Sequence, residues 1–213
     1  MKRLVLTLST LSLIFTLGCS GAYYSAMEQV GYDKREILTD RVDNARDSQE
    51  EAKEQFASAL ERFKSVVAFD GGSLQSKYDE LNDEYELSEK RAEAVKDHID
   101  AVEDVAEALF DEWAAEIKQY SSSKLRKSSQ DKLTATKRKY SGLIRAMRNA
   151  EAKMYPVLSA FKDQVLFLKH NLNAKAIAAL EGELGTIRAD VDVLIKEMDK
   201  SIAEADAFIK TLE

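Results

Sequence analysis

The sequence predicts an all-α protein: an antiparallel bundle of about four long helices with coiled-coil-like heptad seams, after an N-terminal signal segment. Three observations predict this class. Apolar residues recur at alternating steps of four and three, as in helices that pack along one seam. The 213 residues include only 1 proline and 8 glycines. Turn signals are confined to three places that separate segments of similar length, which favours an up-down-up-down bundle.

The first helix is expected near residues 24–69. Its seam positions hold small or apolar side chains and one glutamine: Leu38, Val42, Ala45, Gln49, Ala52, Phe56, Ala59, Phe63 and Val66. The sequence FDGGS at 69–73 then predicts a turn, because glycine adopts positive φ at a helix end and Ser73 can cap the next helix. That second helix is expected near 73–120.

The third helix is expected near 128–170. Before it, YSSSKLRKSSQDK at 120–132 is a polar turn in which Ser128 and Asp131 fit a capping box. Its seam is a seven-residue ladder of Leu133, Tyr140, Met147, Met154, Phe161 and Leu168. The second apolar position of each heptad is filled by Leu143 or Ile144, Ala150, Leu158, Val165 and Leu172, which we call the partner positions.

Pro156 lies inside the third helix. The helical period continues on both sides of it, so we expect a kink, with a break near 155 as the alternative. KHNLNAK at 169–175 predicts the third turn, and the fourth helix is expected near 174–212. Further apolar residues beside the seams, such as Leu60, Val105 and Ile195, favour a bundle over a two-stranded rod.

The N-terminal segment resembles a bacterial lipoprotein signal. Lys2 and Arg3 precede an apolar run that ends at Leu17, is too short to span a bilayer and is followed by small residues. Cys19 is the single cysteine, and we predict that it is lipidated. The predicted segments are a removed signal peptide at 1–18, a lipidated tether at 19–23 and one helical-bundle domain at 24–213.

Two other interpretations of this segment stay open. Thr16 and Leu17 depart from the commonest lipoprotein motif, which has leucine and then a small residue at these positions. An ordinary signal peptide cut near Ala22 is one alternative, and an uncleaved helix with a buried Cys19 is the other. By lipoprotein sorting rules, Ser20 after the cysteine favours the outer membrane.

Charge and composition exclude several classes of function. Net charge is −7 and becomes −9 when the two cations Lys2 and Arg3 leave with the signal. This argues against nucleic acid as a partner and against broad electrostatic docking on anionic membranes. With one cysteine no internal disulfide can form, so packing has to stabilise the fold.

No catalytic, metal-binding or cofactor-binding constellation is predicted. His98 and His170 are the only histidines, and neither follows a glutamate by three residues as in dimetal bundles. Zinc-type spacings, a phosphate-binding glycine loop and a nucleophile elbow are missing from the sequence. We therefore expect a protein that is not an enzyme and needs no cofactor.

Two places are candidates for an interaction surface. His170, Asn171 and Asn173 lie in the third turn and would form a recognition surface at a bundle end, or simply a capped connection. Trp113 is either an aromatic contact for a partner or, because it keeps the seam register, a core residue. The basic cluster at 124–139 fits either a charged partner or a solvated helix start.

Four long blocks carry a family resemblance. They read VGYDKREILTDRVDNARDSQEEAKEQFASALERFKSVVAFDGGSL, VEDVAEALFDEWAAEI, RAMRNAEAKMYPVLSAFKDQVLFLKHNLNAKAIAAL and IAEADAFI. From about Tyr23 to Leu212 the chain resembles the DUF2959 family. The resemblance implies a proteobacterial envelope protein of unknown function, often a predicted lipoprotein, and it transfers no catalytic residues.

These observations together predict a lipid-anchored protein on the periplasmic face of the outer membrane. The membrane would be reached through the N-terminal lipid, and the bundle would act as a structural or adaptor module for an unknown envelope protein. The alternative is a carrier that binds a lipid or another apolar ligand within the bundle, which the wide apolar faces and Pro156 motivate.

Overall fold

The computed structural model describes residues 33–68, 71 and 73–212. In this part of the chain there are four helices and no strand: α1 Lys34–Val67, α2 Leu74–Ile117, α3 Ser123–His170 and α4 Ala174–Leu212. The predicted all-α class is confirmed. The predicted signal peptide, Cys19, the tether and the first turns of the first helix lie outside the described residues.

Each helix packs against two others and runs antiparallel to both. α1 and α3 each contact α2 and α4. The direction is visible at the α1–α4 interface, where Arg46 pairs with Asp206 and the later Lys53 pairs with the earlier Asp199. Helices adjacent in sequence are therefore adjacent in space, and the bundle has up-down-up-down topology.

The predicted seams form the core. All nine seam positions of α1 are buried, and Leu38, Phe56 and Val66 are completely inaccessible. On α3, Leu143 rather than Ile144 takes the fully buried partner position. The α1 seam also holds Ala45, Ala52 and Ala59, whose small side chains let neighbouring helices approach closely. Burial of these apolar faces stabilises the bundle.

Two predicted turns have the expected chemistry. Gly71 has a φ of 140°, a conformation that side-chain-bearing residues rarely adopt. Ser73 caps α2, since its Oγ accepts a hydrogen bond from the Ser76 amide at 3.3 Å. Asn173 caps α4 in the same way, and its Oδ1 accepts from the amides of Lys175 and Ala176.

The predicted start of the third helix is wrong. α3 begins at Ser123, and the cap is Ser122, whose Oγ accepts from the Leu125 amide at 3.3 Å. Asp131 is no capping-box partner of Ser128, because its carboxylate pairs with Lys127 one turn earlier at 3.1 Å. Local capping starts the helix before it has an apolar face, so the basic sequence at 124–127 is helical and exposed.

Helix α3 continues through Pro156, so a break near 155 is ruled out. Pro156 is exposed, while its neighbours Met154 and Val157 are buried in the core. Packing of this inner face holds the helix together although the proline cannot donate a backbone hydrogen bond.

The bundle has two ends. We call the end where α1 begins the near end and the opposite end the far end. The near end contains the first residues of α1, the α2–α3 turn at 118–122 and the last residues of α4. The far end contains the turns at 68–73 and 171–173. The longest helix, α3, has 48 residues, so the two ends are about 70 Å apart along it.

Candidate interaction surfaces

The far end carries the three turn residues that the sequence singled out. His170 is exposed at the end of α3. The Asn171 amide donates to the Leu168 carbonyl at 3.0 Å, and its Nδ2 donates to the Phe167 carbonyl at 2.9 Å. The turn therefore satisfies the last carbonyls of α3 and, through Asn173, the first amides of α4. The three residues lie together.

An exposed apolar patch borders this turn. Leu166, Phe167 and Leu172 are 49%, 41% and 37% exposed. Leu172 was expected to continue the α3 seam, and this prediction is wrong because α3 ends at His170 and Leu172 stands in the turn. These side chains make the far end a candidate contact surface.

Trp113 does not join the far-end residues. It lies on α2 close to the near end, partly buried, and packs against the core. Its Nε1 donates a hydrogen bond to the Ser129 Oγ of α3 at 2.9 Å. The indole thus fixes the pairing of α2 with α3 at the near end.

Sequence reasoning missed a division of charge between two adjacent helices. α2 contains 15 acidic and 4 basic residues, whereas α3 contains 3 acidic and 12 basic residues. The two helices pack side by side. Their opposite charges favour this pairing over a pairing of like-charged faces. Counting charges by predicted helix would have found the division.

Arg148 on α3 is the centre of the α2–α3 charge contacts. Its guanidinium pairs with Asp100 on α2 at 2.5 Å, with Glu103 on α2, and with Glu151 one turn along α3 at 2.7 Å. Glu151 is only 8% exposed, and Tyr155 donates a hydrogen bond to it at 3.1 Å. The cluster satisfies a buried carboxylate and joins two helices.

The cluster shifts the pKa values of Asp100 and Arg148 in opposite directions, and each shift favours the charged form. The pKa of Asp100 is below its usual value because Lys96 and then Arg148 hydrogen-bond its carboxylate. Burial lowers the pKa of Arg148, but its hydrogen bonds to Glu103, Glu151 and Asp100 outweigh burial, so the pKa is raised. Both groups therefore stay charged over the physiological range.

An open groove of about 510 Å³ lies beside this cluster, between α2 and α3. Tyr85 and Tyr155 are among its lining residues, together with the apolar residues Ala92 and Leu158. Burial and a hydrogen bond to Glu89 raise the pKa of Tyr85 to about 12, so its hydroxyl stays protonated. The groove offers apolar contact with polar groups at its rim.

The α1–α4 interface contains two buried polar side chains without partners. Gln49 on α1 and Ser201 on α4 are both completely buried. The Gln49 Oε1 and Nε2 and the Ser201 Oγ make no hydrogen bond. Gln49 lies between Arg46 and Lys53, and Ser201 lies between the two aspartates that pair with them, so both share one stretch of the interface.

The described residues hold no group of three or more histidine, cysteine, aspartate or glutamate side chains arranged to bind a metal ion. Among the helices described, none is long and apolar enough to span a membrane. Cys19, the predicted lipidation site, is not among the described residues.

The fold thus defines an up-down-up-down four-helix bundle with one acidic and one basic helix side by side. A family described as a protein of unknown function (DUF2959) matches residues 23–212, and the chain belongs to this family. The resemblance drawn from the sequence blocks is thereby confirmed. No match is found among curated proteins or among solved structures.

Proposed function

We propose that this chain is a lipid-anchored protein of the cell envelope whose bundle faces the periplasm and acts as a structural or adaptor module, not as an enzyme. The observation that carries the proposal is the signal-like segment that ends at Cys19, 14 residues before the bundle begins at Asp33. Three acyl chains, as on a mature bacterial lipoprotein, would hold the protein stably, because one chain alone binds reversibly. Ser20 favours the outer membrane as the site of attachment.

The shape of the bundle supports an adaptor. If the N-terminus is held at a membrane, the near end is the end closest to the attachment point. The far end, with His170, Asn171, Asn173 and its exposed apolar residues, then lies about 70 Å from the near end along the bundle. A partner in the envelope would be reached at this distance without any movement of the anchor.

Removal of the anchor tests the proposal. We expect Cys19→Ser to move the protein from the membrane fraction to the soluble periplasmic fraction, because the sulfur that receives the lipid is lost. Ser20→Ala is the matched control and should leave the protein with the membranes. A Cys19→Ser protein that stays fully in the membrane fraction would contradict the anchor.

A carrier function is the second candidate, and the groove between α2 and α3 favours it. Tyr85 and Tyr155 would cover an acyl chain or another apolar group that lies on Ala92 and Leu158. Native mass spectrometry of protein purified from membranes distinguishes the two functions. An additional stoichiometric lipid, beyond the mass on Cys19, supports the carrier, and its absence supports the adaptor.

A further inference from the structure

At the near end of the bundle, positive charge is concentrated in the α2–α3 turn and the first turn of α3. Residues 118–127 contain Lys118, Lys124, Arg126 and Lys127 and no acidic residue, although the whole chain has a net charge of −7. All four cations are exposed. Among the described residues only Lys127 of these four forms an ion pair, with Asp131. The basic surface continues along α3 through exposed Lys132, Arg138 and Lys139.

Two apolar side chains stand in the same turn. Leu125 is 56% exposed, the highest value among the exposed large apolar residues of the described chain, and Tyr120 is 40% exposed. The Tyr120 carbonyl accepts a hydrogen bond from Arg126 at 2.6 Å, which ties the turn to the first turn of α3. An exposed leucine and tyrosine among lysines and arginine suit the boundary between lipid headgroups and acyl chains.

The polypeptide enters the bundle at this same end. α1 begins beside the α2–α3 turn, and Lys34 pairs with Glu112 on α2 at 3.1 Å. Asp33 follows Cys19 by 14 residues, a separation that spans at most about 50 Å. A lipid on Cys19 fixes one point of the chain and leaves open which face of the bundle meets the membrane, so contacts of the bundle itself could set the orientation.

We infer that the near end docks on an anionic phospholipid surface and that this contact sets the orientation of the anchored bundle. Lys118, Lys124, Arg126 and Lys127 would contact lipid phosphates, and Leu125 and Tyr120 would enter the headgroup boundary. Salt screens charges beyond about 10 Å, so the net charge of the whole chain opposes this contact little. The exposed acidic residues at the same end, Asp33, Glu36, Asp111 and Glu116, limit the contact to the α2–α3 turn and the first turn of α3. The inference rests on the proposed anchor at Cys19.

A single reporter thiol tests this orientation. Once Cys19 carries lipid, Leu125→Cys provides the only free thiol for an environment-sensitive fluorophore. Leu172→Cys at the far end and Val193→Cys on α4 are matched exposed controls. Each lipidated protein is placed in vesicles of phosphatidylethanolamine and phosphatidylglycerol that contain a nitroxide-labelled lipid as quencher. We expect several-fold stronger quenching at Leu125 than at either control.

The role of charge is tested in the same vesicles. The combined variant Lys124→Glu, Arg126→Glu and Lys127→Glu should lose most of the quenching at Leu125, as should replacement of phosphatidylglycerol by phosphatidylcholine. Weak quenching at Leu125 in the anionic vesicles, equal quenching at Leu172, or quenching that survives both changes would overturn the inference. If instead the anchor is wrong, the protein carries no lipid mass and does not float with the vesicles, whether Cys19 is removed with the signal or is retained as a free thiol.

Discussion

Gln49 is a seam residue whose side-chain polar atoms are unsatisfied. Burial of an amide without hydrogen bonds costs free energy, and a leucine of similar size would fill the same space with apolar atoms. We expect Gln49→Leu to raise the free energy of unfolding by about 1–3 kcal/mol, measured by urea denaturation.

Gln55 supplies the control for this substitution. It is also a glutamine of α1, but its Nε2 donates to the Glu84 carboxylate at 2.6 Å. Gln55→Leu should therefore leave stability unchanged or lower it. If Gln49→Leu destabilises the bundle as much as Gln55→Leu does, the Gln49 amide has partners in solution.

Arg148 should dominate the polar stability of the α2–α3 interface. We expect Arg148→Gln to lower the free energy of unfolding by about 1–2 kcal/mol, because Glu103 and the nearly buried Glu151 lose their cation, while Asp100 keeps Lys96. Arg188→Gln is the matched control. Its exposed pair with Asp192 spans 4.0 Å, so the loss should be within about 0.5 kcal/mol.

The same cluster predicts a dependence on pH. The native pKa of Asp100 is lowered from 3.8, so its contribution to stability is present above that value and is lost as the pH falls through the native pKa. Arg148→Gln should reduce the fall in stability below about pH 4. Equal slopes of unfolding free energy against pH in the two proteins would show that Arg148 does not hold Asp100 ionised.

At the scale of the helices, two serines are candidates for the N-cap of α3, and the structure distinguishes between them. Ser122 accepts the hydrogen bond from the Leu125 amide, whereas Ser128 lies inside the helix. We expect Ser122→Ala to cost about 1 kcal/mol of stability and Ser128→Ala less than about 0.5 kcal/mol, as measured by thermal unfolding. A larger loss of stability for Ser128→Ala than for Ser122→Ala would instead support a helix that starts at residue 128.

The positions of the helices could be predicted from the sequence, but the start of α3 could not. The heptad pattern identified four helices and nearly all core residues, because apolar residues recur along the sequence with the same period as the buried face of a helix. The start of α3 was missed because no apolar residue reaches the seam between Leu125 and Leu133, and capping alone decides that boundary.

The α2–α3 surface was missed for a different reason. Seam positions and the up-down-up-down topology predict which side chains face the core and which helices are neighbours, but they do not state which flanking charged residues meet across an interface. Arg148 and its three carboxylates come together only through the pairing of α2 with α3. The charge of each helix carries that information and is readable from the sequence. The far-end turn, by contrast, was found directly because His170, Asn171 and Asn173 are consecutive or nearly so.

At the scale of the whole molecule, the two ends of the bundle differ in chemistry. The α2–α3 turn at the near end is basic and lies beside the start of α1, whereas exposed Leu166, Phe167 and Leu172 lie near His170 at the far end. Both differences acquire a functional meaning if the chain is held at a membrane through Cys19. That attachment is the central claim of the proposed function.

The mass of the intact protein purified from membranes tests this claim most directly. The account predicts a chain that begins at Cys19 and carries the added mass of a diacylglycerol and an acyl chain. A chain that begins near Ala22 with no added mass, or one that retains residues 1–18, would contradict it.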